Sequence, residues 1–294
     1  MIHDKYRNKH TLTFGSWREF VEAAKAPSEM SESERHSKNN SWTERGTADS
    51  LAPYWHGSSI DWAGAIYQAE TGWVEGAEAI ERAFEDVRPS NKQVHQEIAY
   101  SQVGPGTWDM GRLIQGHPQP WMVWQNTEVI TDRAVANGVI SLGLNISQAG
   151  SVTADARFQI GALVMALIDC LERSGKRCEL TLYNSVSGSE GAEINIAVLV
   201  KKADDPLHMP NLAFAFANAA TQRRLCFAIR ETMDAKIRRL CHIGNGYGRT
   251  EPNWSDGKTQ MIAGLGGFGP SNKEAARNWL KNTCSEFGVY IETE

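Results

Sequence analysis

The cysteine pattern lacks the features of a disulfide framework and of a zinc site. The chain of 294 residues has five cysteines, an odd number, and all of them lie in its second half. No two of them have the Cys-x-x-Cys spacing that zinc sites commonly use. Cys170 and Cys226 stand within apolar helical patterns. We therefore expect buried free thiols in a reducing compartment.

Long apolar runs are missing as well. No stretch approaches the roughly 20 apolar residues that a membrane-spanning helix needs. Residues 1–10 contain several charges and lack the apolar centre of a secretory signal. The sequence therefore predicts a cytoplasmic protein without a membrane partner.

A strong excess of one charge is absent from the whole chain but not from its parts. The formal net charge is −5, which divides into −7 for residues 1–132 and +2 for residues 133–294. An acidic front half disfavours non-specific nucleic-acid binding there. Several basic residues of the back half could instead converge on one face with an aromatic residue, and they define an alternative single-stranded nucleic-acid surface. Its residues are Arg223, Arg224, Lys236, Arg238, Arg239, Tyr247 and Arg249.

Catalytic motifs are also scarce. The glycine-rich segments lack the Gly-Lys-Ser/Thr of a phosphate-binding loop, and no Gly-x-Ser-x-Gly elbow is present. His56 and His117 have no second metal ligand at short spacing. We therefore assign no catalytic residue, cofactor or metal, and expect a protein that is not an enzyme. The enzymatic alternative uses the turn at residues 264–269 as an anion site, together with Ser147, Arg249 or Lys258.

The pattern that is present is an α/β one in the second half. Apolar strands are predicted over residues 139–147, 178–184, 194–200, 260–264 and 289–291, and a long helix runs from Thr153 or Asp155 to Arg173. Further helices are predicted within residues 212–241 and 272–287. The order β-α-β-β-α-β-α-β predicts a three-layer, Rossmann-like α/β sheet with helices on both faces, occupying residues 133–294.

The first half is predicted to be a mainly helical accessory region, residues 1–132. A capped helix is expected over residues 16–24, a flexible segment over 27–52, and a helical hairpin on either side of Gly72. A strand is expected over residues 94–103 and loop-like structure over 108–124. Eight of the ten tryptophans precede residue 133. They predict buried anchors for this region, with an exposed aromatic surface as the alternative.

The second half resembles von Willebrand factor A-type domains. Metal-binding members carry Asp-x-Ser-x-Ser after the first strand, where this chain has Asn145-Ile-Ser147-Gln-Ala149. The later strand that usually ends in Asp-Gly is matched by Ala263-Gly-Leu-Gly-Gly267, without a carboxylate. The resemblance implies a ligand-binding edge that has lost its metal site, because a hard cation needs several oxygen ligands with net negative charge. The residues of that edge are Asn145, Ser147, Ser151, Thr153, Gly266 and Gly267.

The whole chain also resembles a family of tailed-phage proteins. The motifs are Trp55-His-Gly57, Gly72-Trp-Val-Glu-Gly76 and the segment from Asp109 to Pro118. This resemblance implies a phage-encoded protein in the host cytoplasm. Taken together, the sequence favours a non-enzymatic binding protein that acts through protein contacts on a metal-free von Willebrand A-like scaffold. The partner and the oligomeric state are not determined by the sequence.

Overall fold

The structure is a computed structural model. It describes residues 1–27, 29, 55–57, 61–84, 87–89, 92–104, 106–130, 138–244, 246–262 and 273–293. Most of the segment predicted to be flexible, residues 27–52, lies outside the described residues. The same is true of the glycine-rich turn at residues 264–269.

The strands and helices are numbered in chain order. The strands are β1 (Ile2–Tyr6), β2 (Lys9–Phe14), β3 (Val87–Pro89), β4 (Lys92–Ser101), β5 (Thr107–Trp108), β6 (Trp121–Ile130), β7 (Val139–Asn145), β8 (Arg177–Ser187), β9 (Glu193–Lys201), β10 (Arg249–Thr250), β11 (Gln260–Met261) and β12 (Ile291–Thr293). The helices are α1 (Trp17–Ala24), α2 (Trp62–Thr71), α3 (Val74–Ala83), α4 (Met110–Ile114), α5 (Ala154–Arg173), α6 (Met209–Ala217), α7 (Phe227–Glu231), α8 (Ala235–Leu240) and α9 (Lys273–Glu286). A π-helical turn, Thr221–Cys226, leads into α7.

The main sheet is a mixed, seven-stranded α/β sheet. Its order is β1-β2-β9-β8-β7-β11, and β10 pairs with one end of β8. β7 is parallel to both β8 and β11, whereas β8 and β9 form an antiparallel hairpin. In β8 and in β9, five successive residues are buried. Because successive side chains of a strand point to opposite faces, protein covers both faces of the sheet there.

The N-terminal strands belong to this sheet, which corrects the expectation of a mainly helical first half. β1 and β2 form a hairpin, and β2 runs parallel to β9. Leu12 and Phe14 of β2 are fully buried while their neighbours are not. This alternation is the signal for a half-buried strand. The division at residue 132 stays a prediction, but the sheet contains strands from both sides of it.

The longest helix packs closely on its neighbour. Thr153 caps α5 by accepting a hydrogen bond from the backbone N–H of Ala156, at 3.1 Å. α5 contacts α6, α9 and β8. At the crossing with α6, a Cβ on Gly161 would lie 2.3 Å from the Cα of Ala217. The predicted helix and its cap are therefore confirmed, and a glycine permits the contact.

Two smaller sheets lie outside the main one. β4, β6 and β5 form an antiparallel three-stranded sheet, here named the ribbon, in which β4 and β6 pair over ten residues each. Residues 108–124, predicted to be loop-like, in fact contain α4 and the start of β6. The C-terminal strand, predicted as an edge of the main sheet, instead pairs with β3. None of the described helices has the length and apolarity needed to cross a membrane.

Candidate functional site

The end of β7 is held by side-chain hydrogen bonds within the protein. Asn145 donates through Nδ2 to the backbone carbonyls of Glu251, at 3.1 Å, and Trp254, at 2.7 Å. Its Oδ1 accepts from the N–H of Ser147 at 2.8 Å. The amide therefore ties β7 to the chain that follows β10. A carboxylate at this position would have no proton to donate to either carbonyl.

Ser147 is equally committed to the protein. Its hydroxyl oxygen is buried and accepts hydrogen bonds from the N–H of Ser185, at 2.7 Å, and from Nδ2 of Asn184, at 3.3 Å. The hydroxyl therefore joins the segment after β7 to the C-terminal part of β8. The structure brings Asn145 and Ser147 together as a structural pair rather than as free ligands.

The other residues predicted for this edge have different surroundings. Thr153 caps α5, Ser151 is exposed, and Gly266 and Gly267 lie outside the described residues. No cluster of three or more metal-ligating side chains occurs in the described part of the chain. Of the groups in the enzymatic alternative, Ser147 is buried, while Lys258 is exposed and lies 3.6 Å from Asp256. The turn at residues 264–269, which this alternative uses as its anion site, lies outside the described residues.

Four of the seven residues predicted for the nucleic-acid surface are buried. Arg223, Arg224, Arg238 and Tyr247 are all less than about 6% exposed, whereas Lys236, Arg239 and Arg249 are exposed. Tyr247 stacks on Phe227 with ring centroids 4.1 Å apart. Four of the seven proposed residues are thus used inside the molecule and do not form an exposed basic face.

These arginines belong to a larger buried set that sequence reasoning missed. Arg157 and Arg230 are also buried, so five arginines are buried in the described residues. Glu231 is the one buried carboxylate among those residues. The available sequence signal was the apolar context, because Arg223 and Arg224 stand between Ala213–Ala220 and Leu225–Ile229. A charged pair in such a run is more consistent with an interior position than with a surface.

The contacts of the two additional arginines are with neutral groups. Nη1 of Arg157 donates to the carbonyl of Ile146 at 3.3 Å, and Nε and Nη2 have no partner among the described residues. Arg230 donates to the carbonyl of Tyr247 at 3.4 Å and to Oδ1 of Asn184, and its Nε has no partner there. Burial lowers the pKa of Arg157 to about 9 and that of Arg230 to about 10. Both guanidinium groups are therefore charged at neutral pH.

The same positive charge acts on a histidine. His56 is buried, and its pKa is lowered to about 3, first by desolvation and then by the charges of Arg224 and Arg223. The ring is therefore neutral at physiological pH.

A pocket of about 350 Å³ opens beside this cluster. It lies at the loop after β7, which is where open α/β sheets usually bind ligands. The walls include Arg223 and Arg230, and the exposed Arg249 also lines it. Aromatic and polar side chains and glycines complete the lining, among them Trp55, Gln148, Gln222 and Tyr247.

The cysteines lie in the interior of the protein. All five cysteines are free and buried, which confirms that expectation. Burial raises the pKa of Cys226 and of Cys178 to about 12, chiefly through desolvation. Neither thiol is ionised at neutral pH.

The ribbon is the other candidate site. One of its faces carries Ile98 and Tyr100 on β4 and Trp124 on β6, and all three are exposed, Trp124 at 67%. Ile98 and Trp124 are directly paired across the two strands. In the described part of the chain, the ribbon strands make their main contacts with one another. The result is an apolar face that the main core does not cover.

The tryptophans divide between the two predicted fates. Trp17, Trp55, Trp62 and Trp73 are partly buried and pack against the core. Trp108 and Trp124, in contrast, are exposed at the ribbon. The tryptophans near the main sheet therefore pack against the core, whereas these two tryptophans of the ribbon are exposed.

The comparisons with known proteins identify a family and no activity. Neither curated proteins nor solved structures give a match to this chain. The tailed-phage origin and the host cytoplasm therefore stay predictions. Residues 3–282 match the family model described as a domain of unknown function, DUF7192, and the chain therefore belongs to this family.

Proposed function

We propose that this protein is a non-enzymatic binding protein that acts through protein contacts, and that the apolar face of the ribbon is its contact surface. The observation that carries the proposal is the cross-strand pair Ile98 and Trp124, exposed together and next to Tyr100. Large exposed aromatic side chains are enriched at the energetic centres of protein interfaces. Apolar groups collected on one face, with polar groups around them, mark interaction sites.

The scaffold in this proposal is von Willebrand A-like and metal-free. The order β9-β8-β7-β11, with an antiparallel β8–β9 hairpin next to parallel strands, supports the likeness. The hydrogen bonds of Asn145 and Ser147 support the loss of the metal site, because both side chains serve the protein itself. Loss of a ligand site on a retained fold is compatible with a change of role towards binding.

The test replaces the apolar pair and compares partner binding. The full chain, the double variant Ile98→Ser with Trp124→Ser, and the control Tyr67→Ser serve as baits in expressing cells. Tyr67 is a good control because it is 65% exposed and lies on α2, away from the ribbon strands. A protein enriched by the full chain is then purified and its affinity measured with all three. We expect the double variant to weaken binding by about tenfold or more, and the control to leave it unchanged.

Three outcomes contradict the proposal. Equal loss of affinity in both variants, or no loss in either, places the contact elsewhere. A complex that disappears after nuclease treatment and weakens steeply with salt favours the single-stranded nucleic-acid alternative, since exposed aromatic side chains also stack on bases.

A further inference from the structure

Two of the buried thiols lie against each other between two helices. Cys170 belongs to α5 and Cys284 to α9, and these helices pack together. Both side chains are buried, and the thiol of Cys284 donates a hydrogen bond to the sulfur of Cys170. The pair is not visible in the sequence, because its two members belong to distant parts of the chain.

The hydrogen bond makes the two sulfurs chemically different. It lowers the pKa of Cys170, because the thiolate of Cys170 accepts the bond. It raises the pKa of Cys284, whose proton the bond holds, and desolvation acts in the same direction. A thiol reacts as its thiolate, so Cys170 is the more nucleophilic member of the pair. Cys284 is then in place to react with an oxidised Cys170.

α9 is attached to α5 by few fully buried side chains. Among the described residues of α9, Leu280 and Cys284 are buried, and the others are partly or fully exposed. Leu280 and Cys284 are four residues apart and therefore share one face of the helix. A helix with so little buried surface opens locally at low cost. Such an opening admits a small oxidant to the two thiols.

We propose that Cys170 and Cys284 are a redox-sensitive pair, which hydrogen peroxide converts into a disulfide that ties α9 to α5. The thiolate of Cys170 attacks one peroxide oxygen, and the O–O bond breaks to give a sulfenic acid and hydroxide. The hydroxide takes up the proton that Cys170 released and becomes water. The sulfur of Cys284 then displaces the sulfenic hydroxyl, which leaves as a second water with the proton of Cys284. Two thiols thus lose two electrons, and the peroxide gains them.

The bond changes how firmly α9 is held. It requires the two sulfurs to move from hydrogen-bond distance to about 2.05 Å. It closes a loop on the order of 100 residues, and the stabilisation by a disulfide grows with the length of the loop it closes. α9 also contacts β12, which pairs with β3, so the bond secures that small sheet as well. In a reducing compartment such a bond is transient and reports oxidation. This proposal is independent of the ribbon and of any protein partner.

The test oxidises the folded full chain and counts its thiols. The reduced protein is treated with a stoichiometric amount of hydrogen peroxide, unfolded in urea, alkylated with iodoacetamide and weighed by mass spectrometry. The untreated chain takes up five alkyl groups, one for each free cysteine. We expect two fewer after oxidation, and a peptide map that links Cys170 to Cys284. The unfolding temperature is expected to rise by about 5 °C or more, and dithiothreitol should reverse the change.

Two variants locate the bond. In Cys284→Ala, peroxide is expected to leave the remaining thiols open to alkylation and the unfolding temperature unchanged. Cys178→Ala is the matched control, since Cys178 is equally buried but lies on β8, and it should still form the bond. If Cys284→Ala does not fold, the peptide map of the wild-type chain decides.

The proposal is overturned by either of two results. One is a treated wild-type chain that still takes up as many alkyl groups as the untreated chain. The other is a disulfide that links different cysteines or two copies of the chain, because the contact between α5 and α9 would then not direct the reaction.

Discussion

At the end of β7, the side-chain amide of Asn145 makes hydrogen bonds that hold the protein together. Its amide has both a donor and an acceptor, and both are used within the protein: Nδ2 serves two carbonyls and Oδ1 serves the N–H of Ser147. The carboxylate that a cation site needs could serve only the N–H. An asparagine at this position can make all three hydrogen bonds, whereas the carboxylate that would bind a metal cannot.

The variant Asn145→Asp is therefore expected to be less stable than the wild type by about 2 kcal/mol, because a carboxylate would face two carbonyl oxygens. Urea-induced unfolding measures the difference. Asn282→Asp is the control, since Asn282 is exposed on α9. An Asn145→Asp protein that is as stable as the wild type, or that Mg²⁺ stabilises specifically, would contradict this account.

Burial also accounts for the position of the basic pair Arg223 and Arg224, which lies inside the protein. The charges of Arg223 and Arg224, taken without their apolar neighbours in sequence, predicted a surface position, but both side chains are buried. Arginine can be buried because its five N–H groups can be distributed among carbonyls and ring faces. Arg223 does this with Trp55 and Val152. The identity of those acceptors depends on residues that are distant in sequence.

Among the elements, α5 and α6 pack closely against each other. Gly161 of α5 lies against Ala217 at the end of α6, and an added Cβ would also lie 2.6 Å from the carbonyl oxygen of Phe216. Both neighbours are backbone atoms or the small side chain of an alanine. They cannot move without displacing a whole helix.

Gly161→Ala is expected to destabilise the protein by about 1–3 kcal/mol, despite the better helix propensity of alanine. Gly138→Ala is the control, because nothing lies within 4 Å of a Cβ built at Gly138. Thermal unfolding of both variants checks the expectation. A stabilised Gly161→Ala protein would mean that the two helices can separate without cost.

Secondary-structure elements with a strong local signal were predicted well. The helices around Gly72, the capped helix after Ser16, and the strands β4, β7, β8 and β9 all agree with the sequence pattern within a few residues. The π-helical turn and the short strand β10 were not predicted, since neither has a local period of its own. The pairing partner of β12 also depends on the tertiary structure, because local sequence does not specify strand neighbours.

In the molecule as a whole, the N-terminal hairpin of β1 and β2 adds two strands to the main sheet. β2 covers the edge of β9 and buries Leu12 and Phe14 in the core. β1, in contrast, forms the outer edge, and its residues are largely exposed. The sheet of the back half therefore includes a strand contributed by the front half.

Removal of residues 1–14 is expected to abolish cooperative unfolding or to cause aggregation, because it exposes the β9 edge and loses two buried side chains worth about 1.5–3 kcal/mol each. Removal of residues 1–7 is the matched control and should leave a folded protein, since β2 is kept. Circular dichroism and size-exclusion chromatography distinguish the two. A monomeric, cooperatively unfolding fragment of residues 133–294 would contradict this expectation.

The amino-acid sequence by itself determined the α/β pattern, the caps and periods of the main helices, the burial of the thiols and the loss of carboxylates at the sheet edge, because each follows from local side-chain chemistry and spacing. Only the tertiary structure decided that β2 joins the sheet, that the ribbon presents Trp124, and that arginines surround a pocket next to β7. The physical reason is that strand pairing and burial are set by contacts between residues far apart in the chain.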